Sequence, residues 1–162
     1  MTPYSLRKHE SVEVTIPGGA VITSRPVTRA SFEACRADAE RLLEKFKSDP
    51  EAARAAGFDP DADFKDDGII AGLYTHYLIV SMGRRHITGW NGIANETGDT
   101  PAEVNPETVD ILLSDPVVSK LYYQQMMMGP ALLEQLKKGS GAGVNGTSSQ
   151  AAAPDTAKDA VS

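Results

Sequence analysis

The chain has 162 residues, enough for one domain with a hydrophobic core but not for two full domains. Its 22 acidic and 16 basic side chains give a net charge of −6, which argues against binding nucleic acid or anionic membranes through a positive field. A single cysteine, Cys35, excludes an internal disulfide framework and a zinc site built from several cysteines. No basic and apolar leader opens the chain, so we expect a cytoplasmic protein.

Charge is distributed unevenly along the chain. Residues 49–67 carry seven acidic and two basic side chains, and residues 91–119 carry six acidic side chains and no basic one. Between them, residues 68–90 carry two arginines and no acidic residue. This alternation favours solubility and the mutual orientation of helices, and a cation site or partner site is the alternative interpretation.

The first predicted element is a β-hairpin. Residues 12–16 alternate apolar and polar side chains, residues 17–19 are Pro-Gly-Gly, and a second short apolar segment follows at residues 20–23. Period-two alternation around a turn of this composition is typical of a hairpin. Because a lone hairpin is only marginally stable, we expect it to lie against a helix or another subunit.

Two long helices are predicted next. The first begins at Thr28 and ends at Asp49, since the residue before a proline is disfavoured in the helical region. Its apolar residues recur at helical spacing on one stripe: Phe32, Cys35, Ala39, Leu42, Leu43 and Phe46. A short alanine-rich turn ends at Gly57. The second helix begins at Asp66-Asp67, ends near Arg84-Arg85 and is too short and too interrupted to span a bilayer.

The rest of the chain is predicted to form a loop, short helices and a tail. Residues 88–104 are rich in Gly, Asn and Thr, which indicates a loop. Asn105 and Asp115 each precede a proline, and a capping residue followed by proline predicts a helix start. Gly129-Pro130 should break or kink the second of these helices, and residues 139–162 lack the apolar content to order themselves. We therefore predict one mostly helical domain over residues 1–138 and a disordered tail over 139–162.

The fold class predicted from these elements is α+β and mostly helical, with a small N-terminal hairpin on a bundle of four to six helices. No catalytic, cofactor or metal site is predicted. The glycines at 141, 143 and 146 match a dinucleotide-binding fingerprint but lack its strand and helix. The acidic residues at 59–67 fit no EF-hand frame, and His76 is interpreted as a hydrogen-bonded core residue.

One stretch of the sequence is distinctive. It contains, in order, residues 87–93 (ITGWNGI), 96–99 (ETGD), 104–113 (VNPETVDILL) and 115–116 (DP). These motifs resemble those of the tail assembly chaperone family of long-tailed bacteriophages, in which an Ile-x-x-Trp-x-Gly step, an acidic glycine-containing loop and a Pro-Glu helix start precede a terminal helix. The resemblance covers about residues 87–116 in recognisable residues and 10–135 in organisation.

The resemblance implies a non-enzymatic assembly factor of the host cytoplasm. Such proteins bind the phage tape measure protein, help to recruit tail tube subunits and are absent from the mature virion; a homo-oligomer is possible. The family has no catalytic residues to carry over. The alternative function is a structural tail or connector component that is retained in the virion, and an enzyme is the weaker rival.

The resemblance also suggests where a partner binds. A tape measure protein is long, largely helical and prone to aggregate, so its chaperone needs an apolar groove that accepts many helices. The candidate contacts lie on the C-terminal helices: Leu121, Tyr122, Gln125, Met126, Met128, Leu132 and Leu133. Trp90, the only tryptophan, is expected to be largely buried and to anchor the predicted loop.

Overall fold

A computed structural model describes residues 11–128 of the chain. Nearly all of these residues, up to Met127, belong to one compact unit. The elements follow in the order β1 (Val12–Thr15), β2 (Val21–Ser24), α1 (Arg29–Ser48), α2 (Pro50–Ala55), a 3₁₀ turn (Asp63–Lys65), α3 (Asp67–His86), β3 (Ile87–Asn91), α4 (Pro106–Leu113) and α5 (residues 116–128). The fold is α+β and mostly helical, as predicted.

The predicted hairpin is present and belongs to a larger sheet. β1 pairs with β2 and β2 with β3, all antiparallel, so the order in the three-stranded sheet is β1-β2-β3. Alternate residues of β1 are buried, as the period-two pattern predicts. The prediction of a loop over residues 88–104 is wrong at its start, because residues 88–91 form most of β3. Pairing of Trp90 with Ile22 on β2 orders this segment.

The helix boundaries follow the capping residues. Thr28 caps α1 in a reciprocal capping box with Ser31, and Asp66 accepts backbone hydrogen bonds from the first turn of α3. Asn105 caps α4 in the same reciprocal way with Thr108, and Asp115 accepts hydrogen bonds from the first turn of α5. The four predicted helix starts are therefore confirmed.

One apolar cluster joins the sheet to the helices. Val14 and Ile22 of the sheet, Cys35 of α1 and Met82 of α3 are completely buried in it. The expectation that the hairpin lies against helices is thus confirmed. Val109 and Leu113 add α4 to the cluster, and Val118, Tyr122 and Met126 add α5. The predicted domain end at residue 138, the Gly129-Pro130 break and the tail over 139–162 lie outside the described residues.

α3 and α4 pack closely because α3 has a glycine at their crossing. A Cβ atom added to Gly83 would come within 2.9 Å of Val109 Cγ1 and even closer to Leu113 Cδ1, both on α4. Real Cβ atoms do not approach carbon atoms so closely, so any larger residue would force these side chains or the helices themselves to shift. A second glycine of α3, Gly72, has no atom within 4 Å of the equivalent position.

These two glycines provide a matched pair of substitutions. Gly72→Ala should stabilise the protein by about 0.5–1 kcal/mol, because alanine loses less backbone entropy in a helix. Gly83→Ala has the same entropic advantage but overpacks the α3–α4 contact, so we expect the free energy of unfolding to fall by about 1–2 kcal/mol. Chemical denaturation of both variants measures the difference. Equal stability of the two variants would show that the α3–α4 contact is not tight.

Candidate functional site

Two of the residues predicted to contact a partner are core residues. Tyr122 is completely buried and Met126 is 7% exposed. The Tyr122 hydroxyl lies 3.0 Å from Ser24 Oγ, so it connects α5 to β2. The prediction that these two side chains offer a partner surface is therefore wrong. The physical reason is helical spacing, since Val118, Tyr122 and Met126 repeat every four residues and form the inward face of α5.

The other five residues predicted to contact a partner are either half-buried or outside the described part of the chain. Leu121, Gln125 and Met128 are half-buried. Leu132 and Leu133 lie outside the described residues. The role of these five residues in partner binding stays a prediction.

Apolar side chains that the sequence analysis did not select are more exposed. Ile111 near the end of α4 is 60% exposed, and Val117 in the first turn of α5 is 54% exposed. These two residues flank the short connection at Ser114 and Asp115, and we call them the α4–α5 apolar pair. Contiguous exposed apolar patches mark contact surfaces, and these two side chains are the candidates for such a surface on α4 and α5. The signal in the sequence was that Ile111 lies between the buried positions 109 and 113 of α4, and that Val117 lies one residue before the buried series 118, 122 and 126 of α5.

Trp90 has a mixed environment. It is half-buried, packs against the core cluster and donates a hydrogen bond from Nε1 to the Ala102 carbonyl oxygen at 2.8 Å. The expectation that Trp90 is largely buried is therefore only partly met, whereas its role as an anchor of the following segment agrees with the contact to Ala102.

A cleft of about 550 Å³ lies between α1 and α3, with α4 at its side. We call it the α1–α3 cleft. Its basic side chains are Arg41, Lys45, Arg84 and Arg85, its carboxylates are Asp38 and Asp110, and its apolar wall includes Tyr77 and Val80.

A network of polar contacts fixes the carboxylates of the cleft. Asp38 accepts hydrogen bonds from Ser81 Oγ at 2.6 Å, from Arg85 Nε at 2.7 Å and from Arg41 Nη2 at 3.0 Å. Asp110 of α4 pairs with Arg84 of α3 through two guanidinium nitrogens. The hydrogen bond from Arg85 lowers the pKa of Asp38, so this carboxylate is ionised at neutral pH.

The titratable side chains near this network, Cys35 and His76, are both uncharged at neutral pH. Burial raises the pKa of the Cys35 thiol, so the group is protonated at neutral pH and does not act as a nucleophile there. Burial lowers the pKa of His76, so its ring is neutral at neutral pH. His76 makes no hydrogen bond among the described residues, and the buried, hydrogen-bonded histidine of the core is His86, which contacts Met82 O and Ser31 Oγ. The interpretation of His76 as a hydrogen-bonded core residue is therefore wrong.

The acidic loop before α3 uses several carboxylates in its own backbone structure. Asp59, Asp63 and Asp66 accept hydrogen bonds from backbone N–H groups within the loop and the first turn of α3. Between residues 11 and 128, no group of three or more His, Cys, Asp or Glu side chains is arranged to hold a metal ion. In the same part of the chain, every helix is too short or too polar to cross a membrane.

No family model matches the chain, and neither a curated protein nor a solved structure is detectably similar to it.

Proposed function

We propose that this protein is a non-enzymatic tail assembly chaperone of a long-tailed bacteriophage, which binds the tape measure protein and helps to recruit tail tube subunits. The observation that carries the proposal is the series of motifs between residues 87 and 116 and their resemblance to that family. On this proposal the protein acts in the host cytoplasm and is absent from the mature virion.

The local structure gives these motifs a physical role that supports the proposal. The first five residues of the Ile-x-x-Trp-x-Gly step form β3, and the tryptophan donates a hydrogen bond to Ala102 in the following segment. The Pro-Glu helix start forms the first turn of α4, which Asn105 caps. The motifs thus order one continuous segment that leads from the sheet to the α4–α5 apolar pair.

The α4–α5 apolar pair is the surface that we assign to the tape measure protein. Ile111 and Val117 expose more of their side chains than Leu121, which is half-buried, so they can meet a partner helix without unfolding α5. An amphipathic helix binds such a surface through its apolar face. Many weak contacts along one long partner would add by avidity, so each copy needs only a small surface.

Co-purification tests the proposal. The tape measure protein of the same phage is co-expressed with the tagged wild-type chain or with the double variant Ile111→Gln, Val117→Gln. Because both side chains are exposed, the variant should stay folded and lose at least about tenfold of the co-purified partner. The matched control is Ile69→Gln, which makes the same change at a side chain that is 38% exposed on α3.

Two results would count against the proposal. Recovery of the tape measure protein by the folded double variant at the wild-type level would remove the α4–α5 apolar pair as the binding surface. Failure of the wild-type chain to recover it at all would contradict the chaperone function. Mass spectrometry of purified phage particles distinguishes the chaperone from the alternative function, since a structural tail or connector component would be present in the particle at a fixed copy number.

A further inference from the structure

We propose that the α1–α3 cleft binds an acidic segment of a protein partner, with carboxylates of that segment on its arginines and Lys45. The inference concerns a different surface from the α4–α5 apolar pair. It holds whether or not the protein is a phage chaperone.

The shape of the cleft suits a chain segment. Asp38 contacts Ser81 and Arg85, whereas Phe46 packs on Tyr77 with ring centroids 5.9 Å apart, so α1 and α3 run antiparallel along the cleft. The lining residues of α3 extend from position 76 to position 85, which is about 13 Å along the helix axis. A groove of this length can contact side chains from successive turns of a helix.

The charge of the cleft is positive. Four basic side chains face two carboxylates, so the net charge is +2 while His76 is neutral. Lys45 forms no ion pair within residues 11–128, and Arg85 uses only Nε on Asp38, which leaves the N–H groups of both Nη atoms without a protein acceptor among the same residues. A guanidinium binds carboxylates through such paired N–H groups.

The remainder of the molecule makes this positive groove distinctive. The chain carries −6 overall, and most carboxylates of its two acidic stretches, residues 49–67 and 91–119, are exposed. An acidic partner is therefore repelled by these two stretches and attracted to the cleft, which orients the partner as well as binding it. The apolar wall at Tyr77 and Val80 adds a preference for carboxylates that flank apolar side chains.

The inference can be tested with the isolated chain and a peptide. The probe is a fluorescein-labelled amphipathic peptide with glutamate and leucine at helical spacing, and its control has glutamine in place of glutamate. Fluorescence anisotropy should show that the wild-type chain binds the glutamate peptide at least about tenfold more tightly at low salt. Lys45→Glu changes the net charge of the cleft from +2 to zero and should weaken binding about tenfold.

Lys47→Glu is the matched control. It makes the same charge change in the same last turn of α1, but Lys47 does not line the cleft and pairs with Glu44. Its affinity for the glutamate peptide should stay within about twofold of wild type. Thermal unfolding of both variants checks that each is folded.

Equal affinity for the glutamate and glutamine peptides would overturn the inference, and so would equal weakening of binding by Lys45→Glu and Lys47→Glu. A third contrary outcome is complete displacement of the peptide by millimolar inorganic phosphate, which would indicate a site for small anions. A fourth is self-association of the isolated chain, measured by analytical ultracentrifugation, that Lys45→Glu alone abolishes, since the occupant would then be a second copy of the chain. None of these measurements involves the tape measure protein, so their failure leaves the proposed function untouched.

Discussion

Tyr122→Ala is expected to lower the free energy of unfolding by about 3–5 kcal/mol, the largest loss that we expect from any single substitution. Tyr122 is the largest fully buried side chain among the described residues, and its removal would leave a cavity between α5 and the sheet. It would also leave the Ser24 hydroxyl without its partner. Urea denaturation measures the loss, and a change below about 1 kcal/mol would show that α5 is not part of the core.

Tyr122→Phe separates the hydrogen bond from the volume of the ring. The variant keeps the ring and loses only the hydroxyl, so we expect a loss of about 1 kcal/mol at neutral pH. Burial raises the pKa of Tyr122 to about 12, so the folded state favours the neutral phenol. This contribution to stability is complete below the ordinary tyrosine pKa of about 10 and is lost as the pH rises through about 12.

The pH dependence gives a second readout for the same residue. Between pH 10 and 12 the wild-type protein should lose stability faster than Tyr122→Phe, because the unfolded wild-type chain ionises this phenol while the folded state keeps it neutral. Parallel loss of stability in the two proteins would show that the pKa of Tyr122 is the same in the folded and unfolded states.

The second large effect is expected at Trp90. Trp90→Ala should cost about 2–3 kcal/mol, less than the 3–5 kcal/mol typical of a fully buried tryptophan, because part of the ring is exposed. Trp90→Phe keeps an aromatic ring against the core and loses the hydrogen bond to Ala102, so about 1 kcal/mol is expected. Thermal unfolding measures both variants. If Trp90→Ala melts like the wild type, the indole does not anchor the segment that follows β3.

Local signals in the sequence predicted most of the helices and the hairpin. The starts of α1, α3, α4 and α5 are set by capping side chains that act on neighbouring backbone groups, so a short sequence window contains the whole interaction. Gly57, which was predicted to end the alanine-rich turn, has a φ of 92°, a conformation that glycine adopts without steric cost.

β3 could not be predicted in the same way. It contains Gly89 and ends at Asn91, both poor strand residues, and it shows no clear alternation of apolar side chains. Its strand conformation depends on hydrogen bonds to β2, which precedes it by more than sixty residues. A long-range pairing of this kind leaves little trace in local composition.

The sequence also misplaced the partner-binding residues on α5 and did not indicate the α1–α3 cleft, for a related reason. The face of α5 that carries Tyr122 is apolar, and an apolar helix face can pack on the core or bind a partner with the same sequence pattern. Only the position of β2, with Ser24 next to the phenol, decides between these two roles. The α1–α3 cleft likewise depends on the antiparallel packing of two helices, which brings Asp38 and Arg85 together across 47 positions of sequence.

The most direct measurement of the central claim is the solubility of the tape measure protein. Expressed alone, this partner should be mostly insoluble, and co-expression with the wild-type chain should move most of it to the soluble fraction. The folded double variant Ile111→Gln, Val117→Gln should fail to do so. A tape measure protein that stays insoluble beside the folded wild-type chain, or that is equally soluble without it, would contradict the assignment of this protein as its chaperone.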